Sequence, residues 1–409
     1  MKNNKNMKRN VKRGFALALA MMFTFLFSVS AMAASADGGF CGEEGGNVVW
    51  ELDGGTLTIS GEGAMKDYTE FGAPWNSSKA SIKKIVIEDG VTSVGKAAFF
   101  RSVNLTAVEI ADSVESIGEN AFGLCVKLAS VELPDGMTEI SKDAFSTCVS
   151  LVNVEIPASV IVIHDGAFRG CAALANVVIP NGVETIMGGA FAGCGLTKVA
   201  IPASVTEIGA GAFYNCKSLA SIKVDAANEN YVALDGVLFN KDMTSVIAYP
   251  AAKDGASYSF PETVTSIGES AFAGCEKMTS IEIPETVVEI GDYAFDGCTN
   301  LVSIEIPASV TSAGGYAFPE HLNTGFYTVV FEDAGEVEIS TKSYRMGEKV
   351  VVPADPETKT GECNPEYHCI YVFAGWDKEI TAVSGNDTYT ATYDEVEVSS
   401  CEFCEEAAN

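Results

Sequence analysis

Nine Ala-Phe pairs recur along this chain at a spacing that leaves little choice of architecture. Their phenylalanines are Phe99, Phe122, Phe145, Phe168, Phe191, Phe213, Phe272, Phe295 and Phe318. Successive steps are 23 residues, apart from one of 22 before Phe213 and one of 59 before Phe272. A fixed period of this length is the signature of a solenoid, in which a repeat buries its apolar face only by stacking on its neighbours. The shorter step arises where Gly195-Leu196 replaces the usual two-residue spacer before leucine. The long step reads as an insertion of 36 residues in an otherwise regular array of nine coils.

Each unit follows Leu-x-x-Val-x-Ile-Pro-x-x-Val-x-x-Ile-Gly-x-x-Ala-Phe-x-x-Cys, and residues 151–171 are a nearly complete copy. Val-x-Ile has the two-residue period of a strand with one buried face. The proline that follows cannot extend a hydrogen-bond ladder, so it turns the chain. Val-x-x-Ile-Gly then runs back extended, and Ala-Phe-x-x-Cys closes the coil. Ordering one coil's backbone costs more than its few apolar side chains return, so the coils must stack, strand on strand and like side chain on like. Asn47-Val-Val-Trp-Glu-Leu52 and Thr56-Leu-Thr-Ile-Ser60, joined by Asp53-Gly54-Gly55, read as a β-hairpin. With Trp75 it is expected to cap the first regular strand, Ile85-Val-Ile87. Residues 231–240 and 243–250 read as a second hairpin-like excursion that keeps one strand in the sheet.

The copies Ile156-Pro-Ala-Ser-Val160 and Ser266-Ile-Gly-Glu-Ser-Ala-Phe-Ala-Gly-Cys275 resemble the BspA-like (Treponema-type) leucine-rich repeats of bacterial surface proteins. The resemblance extends over about residues 40–320, including the hairpin cap and the Asp235-Gly-Val-Leu-Phe variant. It implies a mainly β fold, a right-handed leucine-rich-repeat solenoid with 23-residue coils, and a role in attachment to host proteins, matrix or other cells. It supplies no catalytic residues. Departures are local: Ser141, His164 and Met187 replace the Gly of Ile-Gly, and Ala313 replaces the Ile. Beyond Phe318 the period stops, and Tyr327-Thr-Val-Val-Phe331, Val337-Glu-Ile339, Lys349-Val-Val-Val352 and Thr388-Tyr-Thr-Ala-Thr-Tyr393 are strand-like. Phe373-Ala-Gly-Trp-Asp377 and Thr388-Tyr-Thr-Ala391 resemble the Listeria–Bacteroides repeat, or InlB B-repeat module. This resemblance implies a small β-grasp-like domain serving as spacer or adhesive unit, although the loop over 358–367 is longer than that module requires.

The first residues read as an address. Lys2, Lys5, Lys8, Arg9, Lys12 and Arg13 precede an apolar run over 15–29, and Ala31-Met32-Ala33 offers a cleavage site. The run is short for a spanning helix, which needs about 20 apolar residues; an uncleaved signal anchor is the alternative. Phe40 before Cys41 does not fit a lipoprotein site, and 401–409 hold neither a hydrophobic tail nor a sorting motif. The organisation expected is therefore a signal peptide (1–33), a hairpin cap (34–80), the repeat solenoid (81–320, irregular about 223–260), a β-grasp-like module (326–394) and a Cys-containing acidic tail (395–409). The chain carries a formal charge of −29, and without its first thirteen residues 20 basic and 55 acidic side chains remain. Such a surface repels phosphate backbones and anionic lipid, so neither nucleic acid nor membrane is an expected partner.

Few residues point to chemistry. Cys125, Cys148, Cys171, Cys194, Cys216, Cys275 and Cys298 share one repeat column, three residues after the phenylalanine. They read as small buried side chains rather than a metal or redox ladder, since parallel directions oppose bridging. Cys363 and Cys369, and Cys401 and Cys404, are candidate local disulfides in an exported protein, with a four-cysteine zinc site or free thiols as alternatives. Gly90-Val-Thr-Ser-Val-Gly-Lys96-Ala97 approaches a P-loop, but Ala97 replaces the magnesium-binding hydroxyl and the glycines keep the repeat's register. His164, His321 and His368 are the three histidines, with no zinc-protease or Gly-x-Ser-x-Gly motif beside them.

The outward residue between the two buried strand positions is Glu109, Glu132, Glu155, then Val178, Ala200, Lys223, and later Glu282 and Glu305. Stacked glutamates about 5 Å apart repel by roughly 0.8 kcal/mol in water, tolerable on a solvated face. They are also the candidate partner-binding residues: two acidic patches flanking an apolar break, suited to a basic or calcium-bridged protein. The expected function is that of a secreted or cell-surface-associated, adhesin-like binding protein without enzymatic activity or cofactor. Its partner would be a protein or cell-surface ligand such as a host matrix protein. A non-catalytic scaffold or spacer is the alternative, and a glycan hydrolase using scattered carboxylates a third reading.

Overall fold

Each copy of the repeat lays down two short strands, and these build two parallel ladders in a computed structural model that describes residues 38–43, 47–322, 324–345, 348–356, 359–364, 367–383 and 385–398. The Val-x-Ile segments form the first ladder. Thr56–Gly61, Lys84–Ile87 and Ala107–Ile110 pair in parallel, as do Ser130–Glu132 with Asn153–Glu155, Lys198–Ile201 with Ser221–Val224, and Ser280–Glu282 with Ser303–Glu305. The Val-x-x-Ile segments form the second. There Ile140, Ile163, Ile186 and Ile208 are register partners, coil after coil. Two coils form no strand pair in the first ladder: that of Val177 and Val178, where Leu174 and Ile179 are buried as usual, and that of Tyr258-Ser259-Phe260.

Between the ladders the aromatic rings stack. Trp75, Phe99, Phe122, Phe145, Phe168, Phe191 and Phe213 follow at centroid distances of 5.2–6.0 Å, most of them nearly parallel. The turn that carries each ring is pinned to the next coil by a backbone bond, such as Phe145 N–H to the Ala167 carbonyl at 2.9 Å. Two residues in the left-handed region bracket each phenylalanine turn from Phe99 to Phe295, two before and two after the ring. Gly166 and Gly170 hold these places around Phe168, whereas Asp143 and Thr147 hold them around Phe145. Glycine adopts that conformation at no steric cost; the other residues are held there by the stack.

The long step is organised differently from the expectation of 36 inserted residues. Ala248-Tyr249 is itself a repeat turn: Tyr249 stands 23 residues before Phe272, stacks on it at 5.0 Å and donates its N–H to the Ala271 carbonyl at 2.7 Å. Tyrosine supplies the same ring, so the array has about ten coils rather than nine. The irregularity is one 36-residue coil, between Phe213 and Tyr249. It contains Tyr231–Leu234, Val237–Asn240 and Ser245–Ala248 as an antiparallel meander whose last strand joins the second ladder through Ser266–Ile267. The buried Asn228 anchors it, donating its amide to the carbonyls of Pro202 and Val205 and accepting the N–H groups of Asn230 and Tyr231. The apolar interior changes hands here. One cluster runs from Cys41 to Leu238 and another from Val237 to Ala317, and among the described residues Phe213 and Tyr249 make no ring contact.

Both ends of the array are covered. The hairpin Val48–Asp53 with Thr56–Gly61 lies against Lys84–Ile87, and the fully buried Trp75 donates its indole N–H to the Ala98 carbonyl at 2.9 Å. At the other end Ser312–Gly314, the last strand of the second ladder, pairs antiparallel with Glu338–Arg345. The Arg345 guanidinium donates to the Pro307 and Val310 carbonyls and lies 4.4 Å over the Phe326 ring. Phe326–Glu332 pairs antiparallel with Glu338–Arg345 and parallel with Asp387–Val398. Tyr367–Trp376 and Lys359–Asn364 follow in the same sheet. The repeat ladder thus continues into the tail sheet without a gap, and the tail has a small core of its own around Val329, Phe331, Tyr344 and Tyr389.

Candidate binding surface

The first ladder displays the outward column that the repeat dictates. Register pairs Glu132 with Glu155 and Glu282 with Glu305, and all four face solvent, so two acidic pairs form as the spacing predicts. Glu109 is placed differently: Lys84, one coil earlier and two residues back, forms an ion pair with it at 2.9 Å. Between the acidic stretches the column becomes apolar and then basic. Val178 is 79% exposed, Ala200 is exposed, and Ala200 is in register with the exposed Lys223. Lys198, on the strand of Ala200, faces solvent too.

The cysteine column is buried and its thiols are free. The Sγ–H of Cys148 donates to the Phe122 carbonyl at 3.2 Å, and Cys125, Cys171, Cys194, Cys216 and Cys298 make the same bond one coil back. Each of these six thiols therefore satisfies a backbone oxygen of the turn next to it. Burial pushes the Cys148 thiol up to about 12 and raises those of Cys125 and Cys216. The hydrogen bond to the next thiol, then burial, raises those of Cys171 and Cys275. Such thiols are poor nucleophiles and poor metal ligands. Cys41 is buried as well, its thiol raised by burial to about 12. Register sets Cys369 opposite Gly361; the side chains of Cys363 and Cys369, and all of Cys401 and Cys404, lie outside the described residues.

Other motif residues serve the stack. Lys96 is paired with Glu119 at 2.7 Å, and a Cβ at Gly95 would collide with the Lys66 carbonyl, so the P-loop-like stretch is a coil corner. His164 meets Glu139 at 3.1 Å, and His321 bonds the Leu301 carbonyl at 2.7 Å. Among the described residues no three His, Cys, Asp or Glu side chains converge as a metal site, and no helix is long and apolar enough to cross a membrane. One feature had no signal in the sequence: a cleft of about 740 Å³ between the last coil and the tail sheet, lined by Tyr316, Phe318, His321, Tyr327, Lys378 and Asp387 among others. Its walls come from segments some 60 residues apart, brought together by the pairing of Phe326–Glu332 with Asp387–Val398.

The architecture is matched by solved bacterial proteins. A leucine-rich cell surface protein from Faecalibacterium prausnitzii is 28% identical, with a TM-score of 0.57 over 71% of this chain and 88% of its own. A leucine-rich repeat protein from Eubacterium ventriosum is 29% identical, with a TM-score of 0.48 over 66% of each chain. The pneumococcal vaccine antigen PcpA is 21% identical, with a TM-score of 0.47 over 70% of this chain and 74% of its own. No curated protein matches the sequence significantly. The model of the BspA type leucine rich repeat region matches six copies here, over residues 76–194 and 251–331. These two stretches are therefore a BspA-type leucine-rich-repeat region.

Proposed function

We propose that the chain is a secreted or surface-associated, non-catalytic binding protein of adhesin type that holds a protein ligand along its first ladder. The observation that carries this reading is the outward column itself. Apolar and cysteine positions of the repeat are consumed by stacking, while the solvent-facing column is free of that constraint and gathers like charge, Glu132 beside Glu155 and Glu282 beside Glu305. Like charges brought into register cost stability unless a partner neutralises them. Glu109, Glu132, Glu155, Glu282 and Glu305 are the proposed contacts, and a basic protein on a host matrix or cell surface is the proposed ligand. Affinity then comes from many shallow contacts and from avidity.

Export through cleavage of residues 1–33, capping by 34–80, a β-grasp-like spacer over 326–394, and disulfides within Cys363/Cys369 and Cys401/Cys404 belong to the same proposal. The test is binding of the purified chain to immobilised matrix proteins. Glu109→Gln, Glu132→Gln and Glu155→Gln together should weaken attachment severalfold, and unchanged binding disproves the patch. A structural scaffold is the second reading, favoured by the unbroken sheet from the repeats into the tail. Ligand-free assembly into ordered arrays larger than a dimer would support it.

A further inference from the structure

The charges on the first ladder are ordered as well as numerous. From coil to coil the outward column runs Glu132, Glu155, Val178, Ala200, Lys223, with Lys198 beside Ala200. It is acidic on one side of Val178 and basic on the other. Four lysines of the repeats find carboxylates within the chain, Lys84 with Glu109, Lys96 with Glu119, Lys217 with Glu276 and Lys277 with Asp254, while Lys127, Lys241 and Lys253 donate to amide or backbone oxygens. Among the described residues Glu132, Lys198 and Lys223 have no ion pair, although all three are exposed. At the midpoint stands Val178, among the most exposed apolar side chains of the described residues at 79%, with Val152 at 47% one coil away.

This sequence of charges is self-complementary. A two-fold axis through Val178, parallel to the flanking strands of the ladder, reverses the order of coils in a facing copy and preserves position along those strands. Val178 then meets its own counterpart, and Lys223, two coils from the axis, meets Glu132, also two coils from it. Symmetry makes two such pairs, as an isologous contact requires. We propose that the first ladder, centred on Val178, is a docking surface for a second copy of this chain, closed by reciprocal Glu132–Lys223 pairs.

Magnitudes set the strength of the contact. Five coils at about 4.8 Å, each presenting a few outward residues, offer on the order of 400 Å² per copy, half of what a stable interface uses. The association is therefore weak and reversible, suited to neighbouring copies held on one surface. The net negative charge of the chain does not forbid it. At physiological ionic strength the Debye length is about 8 Å, so nearest charges decide, and here they are opposite.

The inference does not rest on the proposed ligand, because its readout needs the chain alone. Sedimentation velocity of the full chain over a concentration series, at physiological salt, should show a reversible monomer–dimer equilibrium. Val178→Asp, Glu132→Lys and Lys223→Glu should each raise the dissociation constant about tenfold, the size of a lost contact worth about 1.4 kcal/mol. Combining Glu132→Lys with Lys223→Glu restores both pairs with reversed sign and should recover the dimer. Val178, Glu132 and Lys223 are exposed, and unchanged thermal melts confirm that each variant folds. A monomer at every concentration overturns the proposal. So does a double variant no better than the single ones, or a chain that stays monomeric while Glu132→Lys abolishes binding to a lysine-rich protein.

Discussion

Thr147 holds a left-handed backbone, φ 58°, at a place where the next two coils have Gly170 and Gly193. A β-branched residue there is strained by about 1–3 kcal/mol, against roughly 0.5–1 kcal/mol for the entropy that glycine loses on folding. Thr147→Gly should therefore stabilise the protein by about 1 kcal/mol, read as a higher denaturant midpoint with an unchanged slope. A drop in the midpoint would show that the threonine side chain outweighs the strain. The thiol column gives a second expectation. In the folded protein the Cys148 thiol is raised from 9.0 to about 12, so between these values the native state keeps a proton that the unfolded chain releases. The unfolded chain then binds fewer protons, and stability falls as pH rises above about 9, by roughly 1.4 kcal/mol per pH unit for each thiol so buried. Unfolding free energies between pH 8 and about 11 check this, and Cys148→Ala should flatten the slope.

At the scale of elements the repeat unit was legible because its parts obey local rules. Alternation marks the strands, proline ends them, and Ala-Phe marks the turn. Tyr249 departs from the phenylalanine period in residue type alone, since Ala248-Tyr249 sits one full repeat before Ala271-Phe272. The stack needs an aromatic ring of that size at that place, and tyrosine qualifies. The ring column makes a graded expectation. Phe168 lies between Phe145 and Phe191 at 5.7 and 5.6 Å, so Phe168→Ala removes two ring contacts and should cost about 3–5 kcal/mol. Phe213 has a ring partner in Phe191 at 6.0 Å and is 7% exposed, and Phe213→Ala should cost clearly less. Equal losses in calorimetry would mean that the column does not end at Phe213.

Across the whole molecule two apolar clusters meet at Val237 and Leu238. Tyr214 Oη donates to Asp296 at 2.5 Å, and Lys217 pairs with Glu276 at the same distance, so polar links reach over the seam. In a stack where each coil feels its neighbours, a weak junction separates cooperative units. Urea unfolding should show two transitions, with Phe122→Ala lowering one and Phe295→Ala the other. A single transition that both variants shift alike would join the clusters into one unit.

Coil length, buried columns and the outward glutamates were settled by the sequence alone, since a stack of near-identical units repeats every local preference at the same place in space. The tertiary structure decided what depends on contacts between unlike segments. Lys84 reaches Glu109 because Lys84–Ile87 pairs in parallel with Ala107–Ile110. The tail prolongs the ladder because the open edge of Ser312–Gly314 has backbone groups to satisfy and Glu338–Arg345 supplies them. No period foretells such pairings: they join residues that occur once, through a backbone whose hydrogen bonds carry no record of side-chain identity.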